Sequence, residues 1–138
     1  MFWQDKLTLQ SSGRGTYEVT QKIEKMIRDS GIQQGQCHLF IQHTSASLII
    51  SENADPAVHR DLETFMAKLS PDGDPVYTHR SEGDDDMPAH IRSVLTQTEI
   101  NVPITQGVSG LGTWQGIYLW EHRTSPHRRQ IIVTIQGE

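Results

Sequence analysis

The chain has 138 residues, with 12 basic side chains against 17 acidic ones and a net charge of −5 when the histidines are neutral. That length suits one domain over residues 1–138 with its own core, and it excludes a (β/α)8 barrel, which needs at least about 200 residues. The acidic balance argues against nucleic-acid binding, the single cysteine (Cys37) excludes an intrachain disulfide, and no run approaches the roughly 20 apolar residues that cross a bilayer.

Residues 2–10 alternate loosely and end in Ser11-Ser12-Gly13-Arg14-Gly15, which predicts an opening strand and a turn. Thr20 is placed to cap a helix that carries Ile23, Met26 and Ile27 on one face and stops at Gly31. From Gly35 the period changes to two: Cys37, Leu39, Ile41 and His43 point one way, His38, Phe40 and Gln42 the other. A second strand spans 46–52 around Leu48-Ile49-Ile50, so His43 and Glu52 stand at strand ends. Asp55-Pro56 then starts a helix with Val58, Leu62, Phe65, Met66 and Leu69 on its core face, closed by Ser70-Pro71. Residues 70–87 form a long polar loop, of the kind that is functional or disordered in compact domains. A further helix begins near Pro88, with His90 in its first turn and Ile91, Val94 and Leu95 facing inward. The last third reads as strands at 100–104, 111–122 and 131–135, which makes the chain an α+β protein. The amino terminus lacks the charged-then-apolar plan of a signal peptide, so a soluble, cytoplasmic protein is expected.

Seven histidines invite a metal hypothesis, and each must be weighed by position. His38 faces away from His43, His59 is expected on a helix surface, and His122 and His127 sit among arginines, where an anion contact or a plain surface role fits. His43, His79 and His90 occupy element ends and a loop, where a scaffold displays functional groups. Three histidines can hold a catalytic zinc that keeps one open position, but their spacing matches no local motif. The competing reading is a solvated loop histidine at 79 and a helix-capping one at 90. Asp84-Asp85-Asp86 reads first as an acidic helix cap; alternatively one carboxylate orients a metal-bound histidine or ligates directly. Glu52 and Asn53 are expected near His43, with Glu52 as general base and Asn53 orienting substrate; Asp55 is committed to its cap. The run 109–116 is glycine-rich but is neither a Walker loop nor a dinucleotide fingerprint. Arg123, Arg128 and Arg129 could hold an oxyanion bidentately or pair with acidic neighbours.

The motifs Gln42-His43-Thr44-Ser45-Ala46, Glu52-Asn53-Ala54-Asp55-Pro56, Asp85-Asp86-Met87-Pro88-Ala89-His90-Ile91 and Leu111-Gly112-Thr113-Trp114-Gln115, in this order, resemble those of the YjbQ-like family, often labelled secondary thiamine-phosphate synthase. One departure is Asp85-Asp86, where many relatives carry Asp-Asn. The resemblance implies an α+β fold of antiparallel sheet with packed helices, a homotrimer that forms through its sheets with sites near the subunit interfaces, and a metal-capable histidine cluster that maps onto His43, His79 and His90. It implies a divalent metal, zinc among the candidates, and an enzyme acting on a small phosphorylated metabolite. The activity attributed to the family joins a hydroxymethylpyrimidine pyrophosphate to a thiazole phosphate. On this reading Glu52 and Asn53 are catalytic, and Thr44, Ser45, Trp114, Gln115, Arg128 and Arg129 contact substrate. The alternative is a non-catalytic trimer that binds metal or an anion.

Overall fold

The period-two patterning of the sequence is realised as strands that bury alternate side chains, most regularly along 99–105 and 128–137. A computed structural model describes all 138 residues, Met1–Glu138. In chain order its elements are β1 (Phe2–Gln10), β2 (Gly15–Glu18), α1 (Thr20–Ser30), β3 (Gln34–Ile41), β4 (Ala46–Glu52), α2 (Pro56–Leu69), α3 (Asp86–Leu95), β5 (Glu99–Thr105), β6 (Val108–Ser109), β7 (Gln115–Glu121) and β8 (Arg128–Gly137). Five strands form one sheet in the order β1-β8-β3-β5-β6, and three form a second in the order β2-β7-β4. Every pairing is antiparallel. No helix is long and apolar enough to cross a membrane.

The core lies between the sheets. Cys37, Leu39 and Ile41 of β3, Ile131, Val133 and Ile135 of β8, and Leu48, Ile117 and Leu119 of the smaller sheet join Ile23 and Ile27 of α1 in one apolar cluster. Cys37 is a packing residue, its thiol pushed up to about 12 by burial and by the charge of Glu24. The expected stop at Gly31 is present, with φ at 74° where a side chain would be strained. Gly35 and Gly137 stand opposite each other across β3 and β8, and a Cβ on Gly35 would sit 2.0 Å from the Gln136 carbonyl oxygen.

β7 explains much of the remaining architecture because both its faces are covered. Ile117 and Leu119 enter the core, while Tyr118 packs on His59 of α2 and the Trp120 indole donates to Glu63 of the same helix. Arg92 of α3 donates to Glu63 from the other side at 3.0 Å, so one carboxylate ties α2, α3 and the smaller sheet together. His59 is therefore not a surface residue: Nε2 donates to the Glu52 carbonyl at 2.7 Å and Nδ1 accepts from the Thr16 hydroxyl at 2.9 Å.

Several local expectations change. Thr20 does not cap α1; the N-cap is Val19, and the Thr20 hydroxyl donates to Glu18 while accepting from the Ile117 N–H. Phe65, Leu69, Val94 and Leu95, expected in the core, are exposed, Val94 by 83%. Gly15, expected to end the turn, instead opens a short strand over residues 15–18. Asp55, by contrast, caps α2 as expected, accepting from the Ala57 N–H at 2.9 Å. Asp55→Ala is expected to cost about 1 kcal/mol, the usual value of such a cap, read as a lower urea midpoint at unchanged slope.

Candidate metal centre and adjoining cleft

α3 begins where the polar loop after α2 ends, and its first turn brings two ligand-bearing side chains to one face. Asp86 and His90 are four residues apart, the spacing that stacks side chains on a helix. The loop returns His79 to the same point. His79 Nε2 lies 2.7 Å and His90 Nε2 3.1 Å from the same oxygen of Asp86, Oδ2, and the three ligand atoms all fall within 4.8 Å of one another.

The surroundings fix this geometry. Asp86 is 2% exposed, and its other oxygen, Oδ1, is 3.0 Å from Arg123 Nη1. Arg123 also donates from Nε to Asp85 at 2.9 Å and from Nη2 to the Glu82 carbonyl at 2.9 Å, clamping the end of the loop against the start of α3. Burial alone would raise the Asp85 carboxyl; the Arg123 hydrogen bond and the Thr124 N–H outweigh it and hold Asp85 at about 2. Asp86 is likewise held below the ordinary carboxylate range, against its own burial, by His79, His90 and Arg123. Both acids are therefore ionised at neutral pH.

The donor set fits a divalent metal. Two imidazole nitrogens and a carboxylate oxygen suit zinc and its neighbours. His90 supplies the sharper test. Its Nδ1 is 2.9 Å from the Thr44 carbonyl, which only accepts, so Nδ1 carries the hydrogen. A neutral ring would then turn a bare lone pair toward Asp86 Oδ2 at 3.1 Å, a repulsive contact. A cation between the two, whether a second proton or a metal ion, removes the repulsion. A carbonyl partner of this kind is what orients a metal-ligating histidine.

His43 does not join this group; Asp86 takes the third place that the sequence reading gave to it. The chain leaves β3 at Gln42, whose N–H still donates to the Gln130 carbonyl at 3.2 Å. The reciprocal Gln130 N–H finds no backbone acceptor and donates instead to His43 Nε2 at 2.8 Å. With Nε2 accepting, a neutral ring carries its hydrogen on Nδ1, and ligation through Nδ1 would require losing that proton or giving up the Gln130 bond. Burial, with help from Arg129, also pushes the His43 pKa down, which keeps the ring neutral. His43 faces a cleft of about 730 Å³ that it shares with Phe40, Ser45, His90, Val94 and Arg129. That volume is in the range of small-molecule sites.

The remaining predicted site residues lie elsewhere. Glu52 and Asn53 are at the far end of β4 from His43, roughly 20 Å along a strand rising about 3.3 Å per residue. Glu52 Oε2 accepts from the N–H groups of Ala54 and Asp55 at 2.7 and 2.6 Å, so it shapes the approach to α2. Asn53 donates to the carbonyls of Thr113 and Gln115, and Gln115 accepts from the Gly112 N–H, which makes both of them turn-builders. Trp114 is exposed beside them. Arg128 is exposed at the start of β8. Arg129 is buried, with Nε 2.8 Å from Glu121 and Nη2 bonded to Glu121 and to Ser45. Thr44 and Ser45 do border the cleft.

A family model described as UPF0047 protein YjbQ-like matches residues 5–138. The chain belongs to the YjbQ-like UPF0047 family. Among its relatives, UPF0047 protein sll1880 of Synechocystis is 50% identical over 98% of this chain and 92% of that protein. UPF0047 protein YjbQ of Escherichia coli O157:H7 is 45% identical over the full length of both. A crystal structure of a YjbQ/UPF0047 family protein from Clostridium acetobutylicum superposes with a TM-score of 0.87 at 35% identity, covering 96% of this chain and 99% of that one. Hypothetical protein APE1520 of Aeropyrum pernix gives a TM-score of 0.89 at 25% identity over 99% of each chain. The α+β fold with its antiparallel sheets is thus shared with both of these structures.

Proposed function

We propose that this YjbQ-like protein is a metal-dependent enzyme acting on a small phosphorylated metabolite. The observation that carries the reading is the convergence of His79, Asp86 and His90 on one point, with His90 also forming a wall of the cleft. A divalent ion held there would polarise a phosphoryl oxygen or activate water. The chain's own residues divide the rest of the work. Thr44 holds His90 through its carbonyl, Arg123 holds Asp86, and the cleft takes the metabolite. Synthesis of thiamine phosphate from a hydroxymethylpyrimidine pyrophosphate and a thiazole phosphate is the first reaction to assay, followed by metal-assisted phosphate hydrolysis.

Assembly as a homotrimer belongs to the same proposal. Phe65 and Leu69 stand four residues apart on α2 yet are left exposed by this chain, and further copies would cover them. The second reading, a non-catalytic binder of metal or anion, is favoured by one observation. Within a single chain the only carboxylate among the three ligands is Asp86, and Glu52 is tied to backbone N–H groups far away, so no free carboxylate base adjoins the cleft.

Elemental analysis of untagged protein, beside Asp86→Asn and His90→Ala variants, tests the metal. Near-stoichiometric zinc or another divalent metal in the parent is expected, with at least a tenfold loss of affinity in variants that keep the parent's circular dichroism. Equal metal in all three would end this assignment. Turnover of a candidate substrate by the loaded protein, absent from both variants, then separates the enzyme from the binder.

A further inference from the structure

The cleft beside the histidines has a donor-rich end that the metal reading does not use. His43 Nε2 is taken by the Gln130 N–H, so its free hydrogen is on Nδ1. That atom makes no hydrogen bond to protein, yet it is not among the buried polar atoms left without a partner, so it is open to solvent. Arg129 is in the same position. Nε and Nη2 are spent on Glu121 and Ser45, while Nη1 has no protein partner and is not sealed. Arg129 is 4% exposed and is one of the residues that line the cleft. Both side chains are anchored on one side by fixed partners, so each presents its remaining N–H at little cost in side-chain freedom. No carboxylate lines the cleft, so none competes for these donors. Opposite them, Phe40 and Val94 offer apolar surface.

We propose that this end of the cleft is an oxyanion subsite, in which His43 Nδ1–H and Arg129 Nη1 hold the phosphoryl group of a monoester whose apolar body lies against Phe40 and Val94. This rests on the reading of the cleft as a phosphorylated-metabolite site but not on the metal itself. It makes His43 a neutral hydrogen-bond donor to the ligand. It also explains why a histidine is useful at the end of β3: one ring nitrogen completes the sheet ladder while the other faces the ligand. Arg129 is already balanced by Glu121, so the local charge is near neutral and the subsite selects an oxyanion by directed N–H groups rather than by excess positive charge.

The test titrates phenyl phosphate, with phenol and benzoate as comparisons, into metal-free and zinc-loaded protein by calorimetry, for the parent and for His43→Phe. Phenyl phosphate is expected to bind the parent in both metal states, and His43→Phe to weaken it tenfold or more while zinc affinity stays within twofold. Benzoate binding that shares this His43 dependence supports the oxyanion assignment, whereas phenol binding as tightly as phenyl phosphate overturns it. Loss of zinc together with loss of phosphate in His43→Phe would also overturn it, since His43 would then be a ligand. Because the Gln130 N–H could be left unpaired and the variant unfold, imidazole 15N spectra of the parent give an independent readout. They should show His43 protonated on Nδ1 and shifted by phenyl phosphate; an Nε2-protonated or unmoved ring overturns the proposal. A parent that takes up no zinc at all yet binds phenyl phosphate through His43 would sink the metal reading alone.

Discussion

Replacing Glu121 with glutamine is expected to destabilise the fold by about 3 kcal/mol, the low end for breaking a buried ion pair from one side. Glu121 is fully buried at the end of β7, between the two sheets. Its oxygens accept from Arg129 Nε at 2.8 Å, from the Ser11 hydroxyl at 2.7 Å and from the Arg123 N–H at 3.2 Å, and Arg129 Nη2 completes the fork. Glutamine keeps the shape but removes the charge, which leaves the Arg129 guanidinium uncompensated and turns an amide N–H toward donors. The open edge of Arg129 toward the cleft lets water recover part of the loss, which is why the upper end of the range is not expected. Urea unfolding at pH 7 measures it; a loss under 1 kcal/mol would show that Glu121 is not the principal counter-charge. The pH dependence has a definite sign. Burial would raise Glu121, but Arg129 and Ser11 hold its pKa below the ordinary carboxylate value. The pair's contribution is therefore complete above the unfolded value near 4.3 and is lost as pH falls through the lower folded value.

The strands were legible because one face of each is buried by the chain itself. Cys37, Leu39 and Ile41 alternate on β3, and Ile100, Val102 and Ile104 on β5, with no competing period. Residues 15–18 escaped notice because Gly15-Thr16-Tyr17-Glu18 is short, half-buried at its first three positions and exposed at the last, with no alternation to read. The helices show the limit of periodicity. Phe65, Leu69, Val94 and Leu95 mark apolar faces correctly, but a repeat of 3.6 says nothing about which surface covers them. Half of the metal centre was readable in principle, since Asp86 and His90 are four apart on one helix. His79 was named from its loop position, but the path that returns the loop to Asp86 was not readable. It depends on Arg123 reaching back some forty residues to Asp85 and Glu82, a contact no local pattern encodes. The engagement of His43 with Gln130 depends on the register of β3 against β8, which fixes only when the sheet forms. Glu52 and His43 looked adjacent because both flank one short strand, whereas a strand keeps its two ends apart.

His122, expected to make an anion contact or to lie at the surface, is fully buried, and this sets up the second large effect: stability should fall steeply in mild acid. His122 follows β7, the strand covered on both faces, so its ring lies against Trp120 with Nε2 2.8 Å from the Ser47 hydroxyl and Nδ1 unpartnered. Burial, reinforced by the charges of Arg92, Arg14 and Arg129, lowers its pKa to about 3. The unfolded ring titrates near 6.5. Between those values the unfolded state takes up a proton that the folded state refuses, so stability drops as pH falls, by about 1.4 kcal/mol per unit. By pH 4 the loss from this ring alone is about 3 kcal/mol. His122→Gln isolates it, because glutamine can still bond Ser47 but does not titrate. The variant starts less stable at pH 7, yet the gap to the parent should close or reverse by pH 4 in urea unfolding. Parallel curves across that range would mean that His122 protonates in the folded state. The Arg92 and Ser47 neighbours would then have to rearrange around a charged ring, and the acid sensitivity would have to come from the carboxylate pairs, beginning with Glu121 and Arg129.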